Sequence, residues 1–426
     1  MIEEVKKRID QIRHGIVPEG YQKTILGIAP LSWKTGRINE ICTLSSGSTP
    51  RRDNADNFVG EILWVTSGEL KKRIIIDTLE KISEAAASTS NMTMYEPGAV
   101  VIAIYGLEAA GIRGTASIIG KRCTISQACM AFTEFSKVDN TFFYYWYLNN
   151  GQVIGLRYAQ GTKQQNLSTD IVGAFPICFP NLKEQRKIAK ILTTQDRVIE
   201  LKEKLLAEKQ RQKKYLMQQL LTGKKRFPRF EGEWRKVKLN EVLFERKEKN
   251  IAQDHRICSV AVQKGVVDQV EHLGRSYAAA DTSNYGVAHY GDIIYTKSPT
   301  GDFPYGIIKQ SHMHEDVAVS PLYGIYEPAC YELGHILHTY FSYAINCSNY
   351  LLPIIQKGAK NTINISNDVF VSKSLYLPTD YEEQQALAQI FITADKEIAL
   401  LRQDLEREKQ KKKALMQLLL TGIVRV

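Results

Sequence analysis

Apolar and polar positions alternate most regularly in two long stretches of the chain. Between Glu184 and Leu221 there is neither proline nor glycine, and Lys, Glu, Gln, Leu and Ala dominate, all residues that enter helices at little cost. Ile188, Ile191, Leu192, Val198, Ile199, Leu205, Leu206, Leu216 and Leu220 recur there at three- and four-residue spacings, which is the period of one helix face. Leu387, Ile390, Phe391, Ile398, Leu401, Leu405, Leu415 and Leu419 repeat the stripe further on. Pro180 and Pro378 stand just before the two stretches, and Gly223 and Gly422 just after them, where a left-handed cap is expected. The spacing predicts two helices of some 38 residues, each about 57 Å long at 1.5 Å per residue. A narrow stripe on so charged a helix needs a partner helix. The sister stretch is the nearest candidate, packed antiparallel through Ile188, Leu192, Ile199, Leu206, Leu216 and Leu220 against Leu387, Phe391, Ile398, Leu405, Leu415 and Leu419. Each seam is interrupted by a polar run, Glu208 to Lys214 and Glu406 to Lys413, which reads equally as a solvated end or as a docking surface for another subunit.

The two stretches are copies of one another. Glu184 to Gly223 realigns with Glu383 to Gly422 at a constant shift of 199 residues, and eighteen of the forty positions are identical, where chance would give about two or three. Both copies open on Glu-Gln, carry an Asp (Asp196, Asp395) three residues before an Ile, and close on Leu-Met-Gln and Leu-Leu-Thr-Gly. The likeness continues upstream more weakly: Asn166-Leu167-Ser168 parallels Asn364-Ile365-Ser366, and Pro97 to Ile102 parallels Tyr290 to Tyr295. Trp33 and Trp234 each open a basic amphipathic run. The chain is thus expected to be two related halves, each a globular domain followed by a long helix. The expected segments are an N-terminal extension (1–32) that packs on a helix, a first domain (33–180), a central helix (181–223), a second domain (224–379) and a C-terminal helix (380–426).

Short β-rich runs in both globular halves (Glu61 to Thr66, Val100 to Tyr105, Asp292 to Lys297) alternate with helical stretches such as Thr141 to Leu148, so a mixed α/β (α+β) fold is expected. The aromatic run Phe142 to Tyr147 reads either as a stacking platform or, with more weight, as a buried helix. Ser45 to Arg52, Thr66 to Glu69, Gly161 to Asn166 and Gly358 to Thr362 are polar, Gly-containing loops, with side chains of the kind that meet phosphates and base edges. A single such loop is usually only a turn; the last two occupy equivalent places in the two halves, which strengthens the reading.

Composition narrows the class. The formal net charge is +10, which favours a polyanionic partner. Seven scattered cysteines without a CxxC pair suggest reduced, mostly buried thiols in a cytosolic protein. The charged opening from Met1 to Arg8 is not a signal peptide, and the most apolar stretch, Gly98 to Ile112, is short and carries Glu108, so no membrane span is expected and the protein is read as cytoplasmic. No GxxxxGK[ST] loop, dinucleotide-type turn or Asn-Pro-Pro-aromatic run occurs, and the histidines lack zinc-ligand spacing; His312 and His314 come nearest. The chain reads as a non-catalytic binder, without metal or cofactor of its own.

These features together resemble the specificity subunits of type I restriction–modification enzymes, in which two variable recognition domains alternate with two conserved helices. The resemblance rests on Glu184-Gln185-Arg186-Lys187-Ile188-Ala189, on Leu216 to Gly223 running into Phe227-Pro228-Arg229-Phe230, on Trp64-Val65-Thr66-Ser67-Gly68, on Asn166-Leu167-Ser168, and on the repeated C-terminal signature. It covers nearly the whole chain from Trp33. It implies that each domain reads one half of a bipartite target in double-stranded DNA and that the helix pair sets the unread spacer. It also implies that the helix pair binds two methyltransferase subunits, and that restriction subunits join that core. S-adenosylmethionine and ATP with magnesium would belong to those partners. It assigns Ser46, Gly47, Ser48, Thr49, Thr66, Ser67, Tyr105, Lys163 and Gln164 to the first half-site, and Thr296, Lys297, Ser298, Lys360 and Asn361 to the second. Two other readings compete: a stand-alone DNA-binding regulator, and a coiled-coil adaptor without DNA affinity. Self-association of the isolated chain is left open.

Overall fold

The computed structural model describes residues 2–161, 165–223, 225–357 and 363–426. It divides into two units, Met1–Leu201 with Leu405–Val426, and Lys202–Asp404. Two 39-residue helices, Leu182–Leu220 and Tyr381–Leu419, stand where the stripes predict them. Their starts are capped by equivalent side chains: Asn181 Oδ1 accepts the Glu184 N–H at 3.1 Å and Asp380 Oδ1 the Glu383 N–H at 3.0 Å. Past their ends, Gly223 and Gly422 adopt φ of 68° and 72° and return their N–H groups to the carbonyls of Leu220 and Leu419.

The first unit is built on a five-stranded sheet. Its strand order is Thr43–Ser46, Cys129–Thr133, Val100–Ala103, Ala116–Ile119, Ile74–Ile75. The three central strands are apolar nearly throughout and buried, as a sheet covered on both faces requires. The helix Asn140–Tyr158 covers it. All six aromatics from Phe142 to Tyr147 are buried, with the Phe132 and Phe143 ring centroids 4.8 Å apart, so that run is core and not a stacking platform. The start of the first long helix and the end of the second complete this core through Ile188, Ala189, Leu192 and Met416, Leu419, Leu420. Polar pairs frame the junction. Arg425 Nη2 lies 2.6 Å from Glu184 Oε2, Lys412 Nζ 2.6 Å from Asp196 Oδ1, and Gln195 Nε2 2.6 Å from Glu408 Oε2. Partners advance on one helix as they recede on the other, so within this unit the two segments run antiparallel. The N-terminal residues add the helix Ile2–Arg13 and the hairpin Tyr21–Thr24/Gly27–Pro30. They dock on the second helix's end, where Arg8 Nη1 donates to the Ile423 carbonyl (2.6 Å) and the Tyr21 hydroxyl to the Gly422 carbonyl (2.8 Å).

The second unit holds two four-stranded sheets. One orders Leu243–Glu245, Gly324–Pro328, Ile293–Tyr295, Ile308–Gln310; the other orders Gly265–Asp268, Arg256–Ala261, Val317–Val319, Gly286–Ala288. Its long-helix segments meet through Leu387, Ala388, Phe391 and Leu220, Leu221, with Leu216 and Met217 half-buried beside them. Each of these residues is the 199-residue counterpart of one used in the first unit. The polar frame repeats as well: Arg226 grips Glu383 with both ends of its guanidinium (2.9 and 2.7 Å), and Lys213 pairs with Asp395. The basic runs after Trp33 and Trp234 likewise become equivalent strands, Lys34–Arg37 on Pro176–Phe179 and Arg235–Lys238 on Ser374–Leu377.

The seam departs from the expected stripe in the middle of the first helix, while Ile398 and Leu405 in the middle of the second are buried as expected. Leu205 is 44% exposed, and Leu201 beside it 49%; Ile199 and Leu206 are only half-buried. There the second unit joins its helix segments by charge, Lys202 to Asp404 and Lys209 to Glu397, both at 2.6 Å. The polar runs are therefore neither wholly solvated nor wholly free, because Lys209, Lys213 and Lys412 each bridge to the facing helix segment of their own unit.

Beside Asp395 the second unit gathers three imidazoles, of which His335 is buried, His338 half-buried and His312 exposed. His312, His335 and His338 have ring centroids 5.7–5.8 Å apart. His335 Nδ1 lies 3.2 Å from Gln310 Oε1, while its Nε2 has no hydrogen-bond partner and sits 3.8 Å from Asp395 Oδ2. Burial lowers His335 from 6.5 to about 4, against the pull of Asp395 and with Lys213 and His312 adding to the fall. Lys309, buried with its Nζ on Ser342 Oγ, is lowered to about 8.

Between pH 6.5 and about 4 the unfolded chain binds a proton at His335 that the folded chain refuses, so the second unit loses stability as pH falls through that window. Urea titrations read through Trp234 should show the midpoint dropping from pH 6.5 to 4.5, and His335→Gln should flatten that slope; an unchanged slope would refute the assignment. Gly422→Ala and Gly223→Ala both place a side chain at positive φ, at about 1 kcal/mol each. Only at Gly422 would the new methyl meet neighbours, Pro30 at 2.6 Å and Trp33 at 3.0 Å, against 3.8 Å to Trp234 at Gly223. Gly422→Ala should therefore be the more destabilising by about 1–3 kcal/mol, measured by tryptophan-monitored unfolding.

Candidate nucleic-acid interface

In the first unit one short turn, Ser126 to Ala128, gathers the loops picked out from the sequence. The Gly47 N–H donates to the Cys129 carbonyl and the Ser48 N–H to the Ile125 carbonyl, both at 3.1 Å; the Ser126 N–H donates to Val65 (2.8 Å) and the Ile104 N–H to Ala128 (2.9 Å). Ser46–Thr49, Thr66–Ser67 and Tyr105 are thereby brought around one point. A Cβ at Gly47 would fall 2.2 Å from the Ile125 carbonyl oxygen, so this glycine serves the close approach of two loops. Ser46 and Tyr105 are exposed, while Ser48, Thr49, Thr66 and Ser67 are half-buried. Thr49 Oγ1 accepts the Gln127 N–H (3.4 Å).

Glu69 stiffens the second loop. Its Oε2 accepts both the N–H and the hydroxyl of Thr66 (2.8 and 2.9 Å), and its Oε1 accepts the Leu79 N–H (2.7 Å). Arg52, a phosphate candidate by charge, is already engaged. It makes two bonds to Glu80 (2.6 and 2.9 Å) and lies over the Phe58 and Trp64 rings at 4.4 and 5.0 Å. Arg51, Lys71 and Lys72 are exposed. Gln127, exposed at the tip of the gathering turn, was missed in the sequence because Ser-Gln-Ala-Cys has no motif character. Its amide can pair bidentately with adenine.

The second unit is less complete. Lys297 stands two residues past the strand Ile293–Tyr295, as Tyr105 stands two past Val100–Ala103. It adopts φ of 59°, and partial burial lowers its pKa against the pull of Glu245. Ser298 is exposed. Thr296 is a correction: it is buried, with Oγ1 accepting the Ile307 N–H at 3.0 Å, so it shapes the turn and does not face solvent. Lys163, Gln164, Lys360 and Asn361 lie outside the described residues. Among the described residues no group of three or more His, Cys, Asp or Glu side chains is arranged to hold a metal, and no described helix is long and apolar enough to cross a membrane.

Residues 30–210 match the family model of the type I restriction modification DNA specificity domain. A stretch of 188 residues is 24% identical to the type I restriction enzyme MjaIX specificity subunit of Methanocaldococcus jannaschii, covering 43% of this chain and 42% of that protein. The fold is similar to that of a type I restriction–modification system S subunit from M. genitalium, with TM-score 0.56 and 12% identity over 91% of this chain and 96% of the other. A chain from a structural study of complex assembly and conformational transition in the type I R-M system gives TM-score 0.51 at 16% identity, over 93% and 99%. Over residues 30–210, then, the chain is similar to the type I restriction modification DNA specificity domain, and it spans less than half the length of the curated relative it matches.

Proposed function

We propose that this chain is the sequence-reading subunit of a type I restriction–modification enzyme and does no chemistry itself. The observation that carries the reading is the residue-for-residue equivalence of the helix junctions in the two units. Each closes its core with the start of one long helix and the end of the other, through counterparts 199 residues apart. Two related readers in one chain suit the two halves of an asymmetric, bipartite DNA target, as paired subunits suit half-sites. In the first half-site Ser46, Ser48, Thr66, Ser67, Tyr105 and Gln127 supply donors and acceptors to the bases, with Arg51, Lys71 and Lys72 on phosphates. Lys297 and Ser298 open the second half-site, and Lys163, Gln164, Lys360 and Asn361 extend both. The helix pair sets the length of the unread spacer between the two half-sites. The outer faces of the helices take two methyltransferase subunits, which bring S-adenosylmethionine; restriction subunits, with ATP and magnesium, join that core. The enzyme works on cytoplasmic DNA.

The test is methylation. Co-expressed with its methyltransferase partner, the chain should direct adenine methylation of random-sequence DNA to a motif of two short halves with a constant gap. Exchanging residues 33–180 for those of a relative should change one half and leave the gap alone. The isolated chain should bind duplex DNA with log affinity falling against log salt by about 0.9 per phosphate contact. No methylation, with no duplex binding at low salt, would leave a helical adaptor.

A further inference from the structure

Leu79 is 92% exposed, more than any other large apolar side chain among the described residues. A lone surface leucine is ordinary, but this one does not sit on a loose loop. Its N–H is held by Glu69 Oε1. Before it, Thr78 Oγ1 accepts the Trp64 N–H (3.3 Å) and donates to the Glu80 carbonyl (2.7 Å). After it, the Glu80 carboxylate is clamped by Arg52. Both anchors belong to the recognition surface. Glu69 caps Thr66 with its other oxygen, and Trp64, under Arg52, donates its Nε1–H to the Ser48 carbonyl at 3.2 Å. The Lys71 N–H reaches the Glu69 carbonyl at 2.7 Å, which places an exposed cation on the same loop.

Such an arrangement has no use for the leucine inside the fold: the side chain touches water while its backbone is fixed on two sides. What it fits is a groove wall. The cations take phosphates, the hydroxyls take base edges, and the one apolar feature in the major groove is the thymine C5-methyl. The geometry points to Leu79 as a specificity-determining residue that seats on a thymine methyl in the half-site read by the first unit. This rests on the DNA-reading function proposed above.

The full chain is used to select preferred duplexes from a random library at low salt, and each thymine of the selected site is then replaced by deoxyuridine, which removes only the methyl. One replacement should weaken binding about three- to fivefold. Leu79→Ala should bind the unmodified site about tenfold more weakly, should be indifferent to that same replacement, and should keep its affinity for unrelated duplex. Because the side chain is exposed, the variant leaves no cavity, and Leu79→Met should retain most of the preference. Selective binding that Leu79→Ala does not alter, or that no deoxyuridine weakens, overturns the role of Leu79 while the reader function stands. Absence of any selective binding overturns both.

Discussion

Neither long helix has a stripe broad enough to be stable alone, and burying those stripes is the constraint on which the rest of the structure depends. A helix of this length in water is held chiefly by packing its apolar face. In the first unit the face is closed by Ile188 and Leu192 with Met416 and Leu419; in the second by Leu387 and Phe391 with Leu220 and Leu221. Each junction also encloses a carboxylate, Glu184 or Glu383, that is almost fully buried. Such a charge is tolerable only when paired, and the guanidinium that pairs it lies three residues beyond the closing glycine, Arg425 or Arg226. Helix register, cap and domain core are thus fixed by the same few side chains.

The candidate interface rests on another economy. Its exposed polar groups are small and few, and several of the charged residues near them hold loops in place. Arg52 and Glu80 brace a turn, Glu69 ties two loops, and Gly47 lets a third approach. Groups presented on a braced surface lose little freedom on binding, which is where affinity is otherwise dissipated. Variable residues can then be exchanged at the tips without disturbing the frame beneath.

Much of the frame was legible in the chain. The three- and four-residue spacing located both helices, the prolines and glycines located their ends, and the 199-residue repeat foretold that equivalent residues would do equivalent work. The weight given to a buried helix over a stacking platform at Phe142 to Tyr147 proved right. What escaped depends on distant contacts. Nothing local distinguishes Leu205, which is exposed, from Leu192, which is buried, since both obey the period; mid-helix Lys202–Asp404 and Lys209–Glu397 join the seam, while Ile398 and Leu405 stay buried on the second helix. Thr296 has the chemistry of a base reader, yet the backbone of Ile307 claims its hydroxyl. Gln127 and Leu79 sit in unremarkable sequence and gain meaning only from what folds around them.

The discontinuity of the first unit has a consequence for how the chain is made. Its core needs Met416, Leu419 and Leu420, and its polar frame needs Arg425, all of which leave the ribosome after the whole of the second unit. Until those residues emerge, Ile188, Ala189 and Leu192 have no cover from the second helix, and Glu184 has no counterion. At some 5–20 residues per second, the 200-odd residues between them amount to tens of seconds of waiting. The second unit, by contrast, needs no residue beyond Asp404. Domains commonly mature in the order of synthesis; here the earlier-made unit waits for residues synthesised after the whole of the later one.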